Sequence, residues 1–177
     1  PVVATTDVTG AVTELGTPVG NLTDSGTIGF SDVDLTDVHS INGSITASSG
    51  ALGSLTASVT TDSTGSGLGG VITWIYSVAA SDVEYLAAGQ TKAETFSITL
   101  NDGNGGTVDR LISVTITGTN DTPVVATTDV TGAVTELVAA VGNLTDSGTI
   151  NFSDVDLTDV HSINGSITAS SGALGSL

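Results

Sequence analysis

The chain has 177 residues and a formal net charge of −17, from 19 acidic side chains against two cations, Lys92 and Arg110. Only 12% of it is charged, about half the usual fraction of roughly 25%, so the imbalance is a shortage of Lys and Arg and excludes a nucleic-acid or anionic-membrane partner. The lack of cysteine excludes disulfides, zinc–thiolate sites and thiol nucleophiles, while 38% hydrophobic content with 23 glycines argues for a core rather than acidic disorder.

Helix signals are almost absent, and Thr, Ser, Val, Ile and Gly dominate, which favours strands and turns. Weak strands are predicted near Val2–Thr6, Gly26–Phe30, Ile41–Ala47 and Leu55–Thr60. Val71–Val78 is stronger: alternation puts Ile72, Trp74, Tyr76 and Val78 on one face. Ser81–Ala88 is the only helix-like stretch. Thr95–Leu100 turns Phe96, Ile98 and Leu100 inward, and Leu111–Thr117 does the same with Ile112, Val114 and Ile116. Between these two, Asn101-Asp102-Gly103-Asn104-Gly105-Gly106 is a strong hairpin turn. About seven strands with turns between them predict an all-β, Ig-like sandwich. No apolar run approaches the roughly 20 residues of a membrane span, and the segment from Pro1 lacks the basic region of a signal peptide.

The chain repeats itself. Pro1–Leu55 recurs as Pro123–Leu177, a period of 123 − 1 = 122, and only Gly16/Val138, Thr17/Ala139, Pro18/Ala140 and Gly29/Asn151 differ. The expected organisation is one complete unit, 1–122, followed by the first part of a near-identical second, 123–177, within a tandem array. A half unit leaves an open sheet edge and needs something to pack against.

Acidic residues cluster at strand ends: Glu14, Asp32-Val33-Asp34, Asp82-Val83-Glu84 and Asn120-Asp121. Convergent carboxylate and amide oxygens suit Ca²⁺, which takes six to eight oxygen ligands. Alternate residues of an extended Asp-x-Asp point the same way. Without a cation such carboxylates repel one another. Blander readings compete at each position: Glu14 as a solvated edge charge, Asp32, Asp34 and Asp37 as Asx-turn acceptors, and Asn120-Asp121 as a linker turn. Asp102 reads better as a turn residue than as a ligand, and Asp24, Asp62 and Asp109 as turn or surface acids.

The order Glu14, Asp32-x-Asp34, Asp82-x-Glu84, Asn120-Asp121-x-Pro123 resembles a cadherin repeat. The wording is closer still to the VCBS-type repeats of giant bacterial RTX adhesins. It shows in Ser25-Gly26-Thr27-Ile28, Phe30 to His39, Leu86-Ala87-Ala88-Gly89-Gln90-Thr91, Asn101 to Thr107 and Val114 to Val124, and so covers essentially the whole 122-residue unit. The resemblance implies a cadherin-like Greek-key sandwich with Ca²⁺ between successive units. Carried over, the ligands at the one complete junction are Glu14, Asp82, Glu84, Asn120 and Asp121, then Asp154 and Asp156, with Asn164 through its carbonyl. Asp32 and Asp34 would face a preceding unit, and Glu136 a following one. Asp82-Val83-Glu84 departs from the cadherin motif in lacking its flanking Leu and Arg.

Other chemistries fit poorly. His39 and His161 read as packed strand residues, and no nucleophile–base pair supports a triad. Glycoside hydrolysis needs aromatic sugar platforms, for which Trp74, Tyr76 and Tyr85 are too few. As an EF-hand, Asp32-x-Asp34 would require Glu at its twelfth position, where Gly43 stands. Gly69-Gly70 and Gly105-Gly106 form no tandem nonapeptides. The expectation is therefore a non-enzymatic extender of a secreted, cell-surface bacterial adhesin, exported by type I secretion and serving attachment or biofilm formation. Its partners would be adjacent repeats. The alternative is a binding or self-assembling module that contacts glycans, or identical chains in a fibre.

Overall fold

The computed structural model describes residues 1–139 and 141–176. The strands are β1 (Val2–Val3), β2 (Thr9–Thr13), β3 (Asn21–Ser31), β4 (Ser40–Ile41), β5 (Thr46–Ala47), β6 (Ser54–Thr61), β7 (Gly70–Ala79), β8 (Thr91–Asn101), β9 (Thr107–Thr117), β10 (Val124–Val125) and β11 (Phe152–Ser153). One sheet runs β1-β3-β7-β6; the other runs β2-β9-β8-β4, with β5 also on β8. Pairing is antiparallel except between β2 and β9, which are parallel from Thr9↔Ser113 to Thr13↔Thr117.

The two sheets share one core, as a β-sandwich does. Ile72, Trp74, Tyr76 and Val78 of β7 meet Phe96, Ile98 and Leu100 of β8 and Ile112, Val114 and Ile116 of β9. Burying each such side chain stabilises by roughly 1.5–3 kcal/mol. The Tyr76 and Phe96 rings, 5.6 Å apart and tilted, join the sheets. One carboxylate lies among them: Glu94, fully buried, accepts hydrogen bonds from Leu52 N (2.6 Å), Gly53 N (3.1 Å) and Tyr76 Oη (2.9 Å). Burial first, and then this carboxylate, push the Tyr76 hydroxyl well above its ordinary pKa.

The inward faces predicted for β7, β8 and β9 are those observed. Elsewhere the elements differ from expectation. The strand expected over Ile41–Ala47 is broken into β4 and β5 around Gly43, whose φ of +72° favours glycine. β3 is far longer than Gly26–Phe30, because β7 pairs with it from Asn21↔Ala79 to Phe30↔Gly70. β2 was not foreseen, since Val12 is its one buried apolar side chain. Ser81–Ala88 forms no α-helix: a 3-10 helix at Ala80–Asp82 covers its start and leads into turns pinned by the buried Val83 and Leu86.

After residue 122 the only strands among the described residues are β10 and β11. Their register, Val124↔Ser153 and Val125↔Phe152, repeats that of β1 and β3, Val2↔Ser31 and Val3↔Phe30. No helix among the described residues is long and apolar enough to cross a membrane.

Candidate metal centre

Three stretches of the first unit bring carboxylates to one end of the sandwich. β2 carries Glu14 there: the parallel ladder with β9 continues past Thr13, with Glu14 N donating to Thr117 O at 2.9 Å. Glu84 sits between the anchors Val83 and Leu86. The connector after β9 is clamped against that turn by Gly118 N→Gln90 O (2.8 Å) and Gly89 N→Gly118 O (3.0 Å). Only glycine fits at 118, because a Cβ there would overlap the Leu86 carbonyl. The clamp places Asp121, and carboxylate oxygens of Glu14, Glu84 and Asp121 all lie within 4.8 Å of one another.

A fourth carboxylate comes from the second copy. Asp156, 2% exposed, accepts Asp121 N through Oδ2 at 2.9 Å. Thr119 N donates to Glu14 Oε2 at 2.8 Å. The remaining oxygens have no such partner. Glu14 Oε1, Glu84 Oε1, Asp121 Oδ2 and Asp156 Oδ1 are each buried without a hydrogen bond, as is Thr119 Oγ1. Burying a polar atom unpaired costs about 1–3 kcal/mol, and more for charged groups. Buried polar groups are nearly always hydrogen-bonded, so these five oxygens leave an unmet demand for donors or for a cation.

Electrostatics agree with the geometry. Burial, followed by the charges of its neighbours, raises the pKa of Glu84 above the ordinary carboxylate value, and Asp121 is raised in the same way. For Glu14, burial also comes first and outweighs the Thr119 amide, with Asp121 and Asp156 adding to the rise. Among the described residues no Lys or Arg pairs with any carboxylate. The site therefore lacks positive charge and offers hard oxygen donors, the complement of a divalent cation.

The other residues singled out in the sequence lie elsewhere or beside the cluster. Asp154 is adjacent: its Oδ1 accepts Asp156 N at 3.1 Å, its Oδ2 faces His161 Nε2 at 2.8 Å, and its charge helps raise Asp121. Asp82, Asn120, Asn164, Asp34 and Glu136 are exposed. The Asn120 amide donates to Asp121 O, and Asn164 Oδ1 accepts from Ser162.

Asp32 belongs to a second cluster at the far end of the sandwich, with Asp37 and Asp102, all three buried. Here the acceptors are satisfied. Asp32 receives Asp34 N (3.1 Å) and His39 Nε2 (3.0 Å). Asp37 receives Asn104 Nδ2 (2.7 Å), and Asp102 receives the amides of Asn104 (2.8 Å) and Gly106 (2.9 Å). The Asp34 amide, before other partners, holds Asp32 well below the usual carboxylate range, and the Asn104 amide, ahead of other causes, lowers Asp102. The two clusters therefore differ in kind: one is stabilised by protein donors and the other is left wanting them.

Sequence reasoning grouped Asp37 with Asp32 and read Asp102 as a turn residue, which its bonds to the Asn104 and Gly106 amides fit, but it missed Thr119 as a donor oxygen and Glu94 as a core carboxylate. A signal existed for Glu94, which shares inward parity with Phe96, Ile98 and Leu100. No protein-family model matches the chain, and no curated protein matches it in sequence.

Proposed function

We propose that the chain is a calcium-stabilised spacer from a long repetitive adhesin on a bacterial surface, stiffened where one repeat meets the next. One observation carries the metal: carboxylate oxygens of Glu14, Glu84 and Asp121 lie within 4.8 Å of one another, Asp156 from the second copy holds the Asp121 amide beside them, and each of the four has a buried, unpartnered oxygen. With Thr119 Oγ1 they approach the six to eight oxygens that Ca²⁺ takes at 2.3–2.6 Å. The cation would reverse the mutual repulsion and tie residues 14, 84 and 121 to residue 156.

The spacer reading rests on the repeat and on the resemblance to VCBS-type and cadherin repeats. Parallel pairing of β2 with β9 beside the β1-β3-β7-β6 sheet supports a cadherin-like, Ig-like Greek key. Lack of cysteine leaves metal to do the rigidifying that disulfides do in many secreted domains. Extracellular modules bind Ca²⁺ with dissociation constants of about 10⁻⁴–10⁻³ M. A hundredfold excess over such a constant stabilises by about 2.7 kcal/mol.

The test compares the whole chain in calcium and in chelator. Calcium is expected to raise the melting temperature and contract the small-angle scattering profile. Glu84→Gln should invert in sign, stabilising in chelator by removing one repelling charge and destabilising in calcium by removing a ligand. Identical melting and scattering in both conditions would falsify the reading.

A further inference from the structure

Gln90 touches all three segments that, together with β2, build the acidic cluster. Its carbonyl holds the connector, accepting Gly118 N at 2.8 Å, and its own N donates to Ala87 O at 2.8 Å across the turn that carries Glu84. Its side-chain Oε1 accepts Ala87 N at 3.2 Å from the same turn and the Thr158 hydroxyl at 3.5 Å from the second copy. The side chain is exposed and neutral, so it offers an acceptor without adding another negative charge.

The loop that Gln90 meets is shaped from within. Asp156 N donates to Asp154 Oδ1 at 3.1 Å, and Asp159 N to Asp156 O at 3.2 Å. The same two bonds, at the same lengths, join Asp34 to Asp32 and Asp37 to Asp34 in the first copy. Local bonds fix the form of the loop, and contacts to the first unit fix where it sits. These are Asp121 N to Asp156 Oδ2 (2.9 Å), Leu157 N to Tyr85 O (3.4 Å) and Thr158 Oγ1 to Gln90 Oε1 (3.5 Å). The last two use no carboxylate of the cluster, and they fall on the two residues directly after Asp156.

We propose, on the reading that the cluster holds calcium, that Gln90 is its positioning residue across the repeat boundary. Through Thr158 it registers the second copy's loop on the first unit, and so sets where Asp156 enters the cluster. A ligand delivered from another unit must be ordered when the ion binds. Neutral contacts made beforehand lower that cost. Losing one ordinary hydrogen bond of this kind changes calcium affinity by about three- to tenfold and leaves the stoichiometry unaltered.

The experiment titrates calcium into the whole chain by calorimetry and follows amide exchange by NMR in chelator. Thr158→Val removes the hydroxyl, keeps the shape and lies outside the first unit. It should raise the calcium Kd by about three- to tenfold at unchanged stoichiometry and speed exchange of the Leu157 amide, while Thr158→Ser should restore both. Gln90→Ala should do at least as much, since Ala87 N loses its acceptor as well. Adding Thr158→Val to it should weaken binding no further, because two residues acting through one contact are not additive. Unchanged affinity in Thr158→Val, no rescue by Thr158→Ser, or additive losses in the double variant would each overturn the proposal. No calcium uptake by the unaltered chain would sink the calcium reading itself and the proposal with it, an outcome distinct from uptake that Thr158→Val leaves untouched.

Discussion

Residues 1–55 and 123–177 differ at four positions, yet they have different structures. Val3, Ile28 and Phe30 are at most 5% exposed, whereas Val125, Ile150 and Phe152 are at least 53% exposed. The 11-residue β3 has only the two-residue β11 as its counterpart. What survives in both copies is short-range: the left-handed aspartates 7 and 129, the braces from Asp24 and Asp146, and the two-pair register of the first hairpin. Phe30–His39 and Phe152–His161 stack alike, at 4.9 and 4.8 Å. Side-chain-to-backbone hydrogen bonds within about twenty residues are thus encoded locally. In the first copy, strand length and burial are conferred by β7, β8 and β9.

The largest effect follows from removing the side chain that most separates the two copies. Trp74→Ala should cost about 3–5 kcal/mol, a large share of the 5–15 kcal/mol that holds a typical domain together. A fall in the urea midpoint is expected, together with amide exchange of residues 22–30 approaching that of 144–152. If residues 22–30 stay protected, the difference between the copies does not come from β7.

A smaller effect probes the loop before β6. Leu52 N and Gly53 N are held by Glu94, and their copies Leu174 and Gly175 have no such acceptor among the described residues. Glu94→Gln keeps the volume but removes the charged acceptor shared by two amides and Tyr76. A loss of about 1.5–3 kcal/mol is expected, the range for hydrogen bonds to charged groups. Selective loss of exchange protection at Leu52 and Gly53 would bring this loop closer to its copy; unchanged protection would make the tether dispensable.

The sequence was legible where one face is apolar and the period is strict. β7, β8 and β9 could be placed, and their inward residues named, because alternation over six or more residues has one solution. β2 and the ends of β3 could not, because their stability comes from neighbours rather than from their own side chains. The same division runs through the candidate site. Glu14, Glu84, Asp121 and Asp156 could be picked out as acids near strand ends, but not which of their neighbours would join them. Asp82 and Glu84 are two residues apart, and the turn anchored by Val83 and Leu86 leaves one exposed and the other half-buried in the cluster. Thr119 among many threonines carries no mark of its own, and only the Gly118 clamp distinguishes it. Convergence of loops is a property of the closed fold, and spacing along the chain does not encode it.

The smallest expected effect separates the two histidines. His39 is buried with both ring nitrogens engaged, Nδ1 to Asp62 at 2.7 Å and Nε2 to Asp32 at 3.0 Å. His161 faces Asp154 alone. Burial lowers the His39 pKa, but its hydrogen bonds to Asp32 and Asp62, with their charges, outweigh it, and the net direction is upward from 6.5. A raised folded-state pKa means the stabilisation is fully present below the unfolded value of about 6.5. It is lost as pH rises through the folded value. Asp62 works in the opposite window: its amide and imidazole partners overcome burial to lower its pKa, so its contribution is present above about 3.9 and lost as pH falls through the lowered value. In chelator, His39→Gln should therefore flatten the decline in stability above neutral pH. The imidazole of His39, followed by NMR, should titrate above 6.5; a midpoint at or below that value would show that burial, not the paired carboxylates, governs this residue.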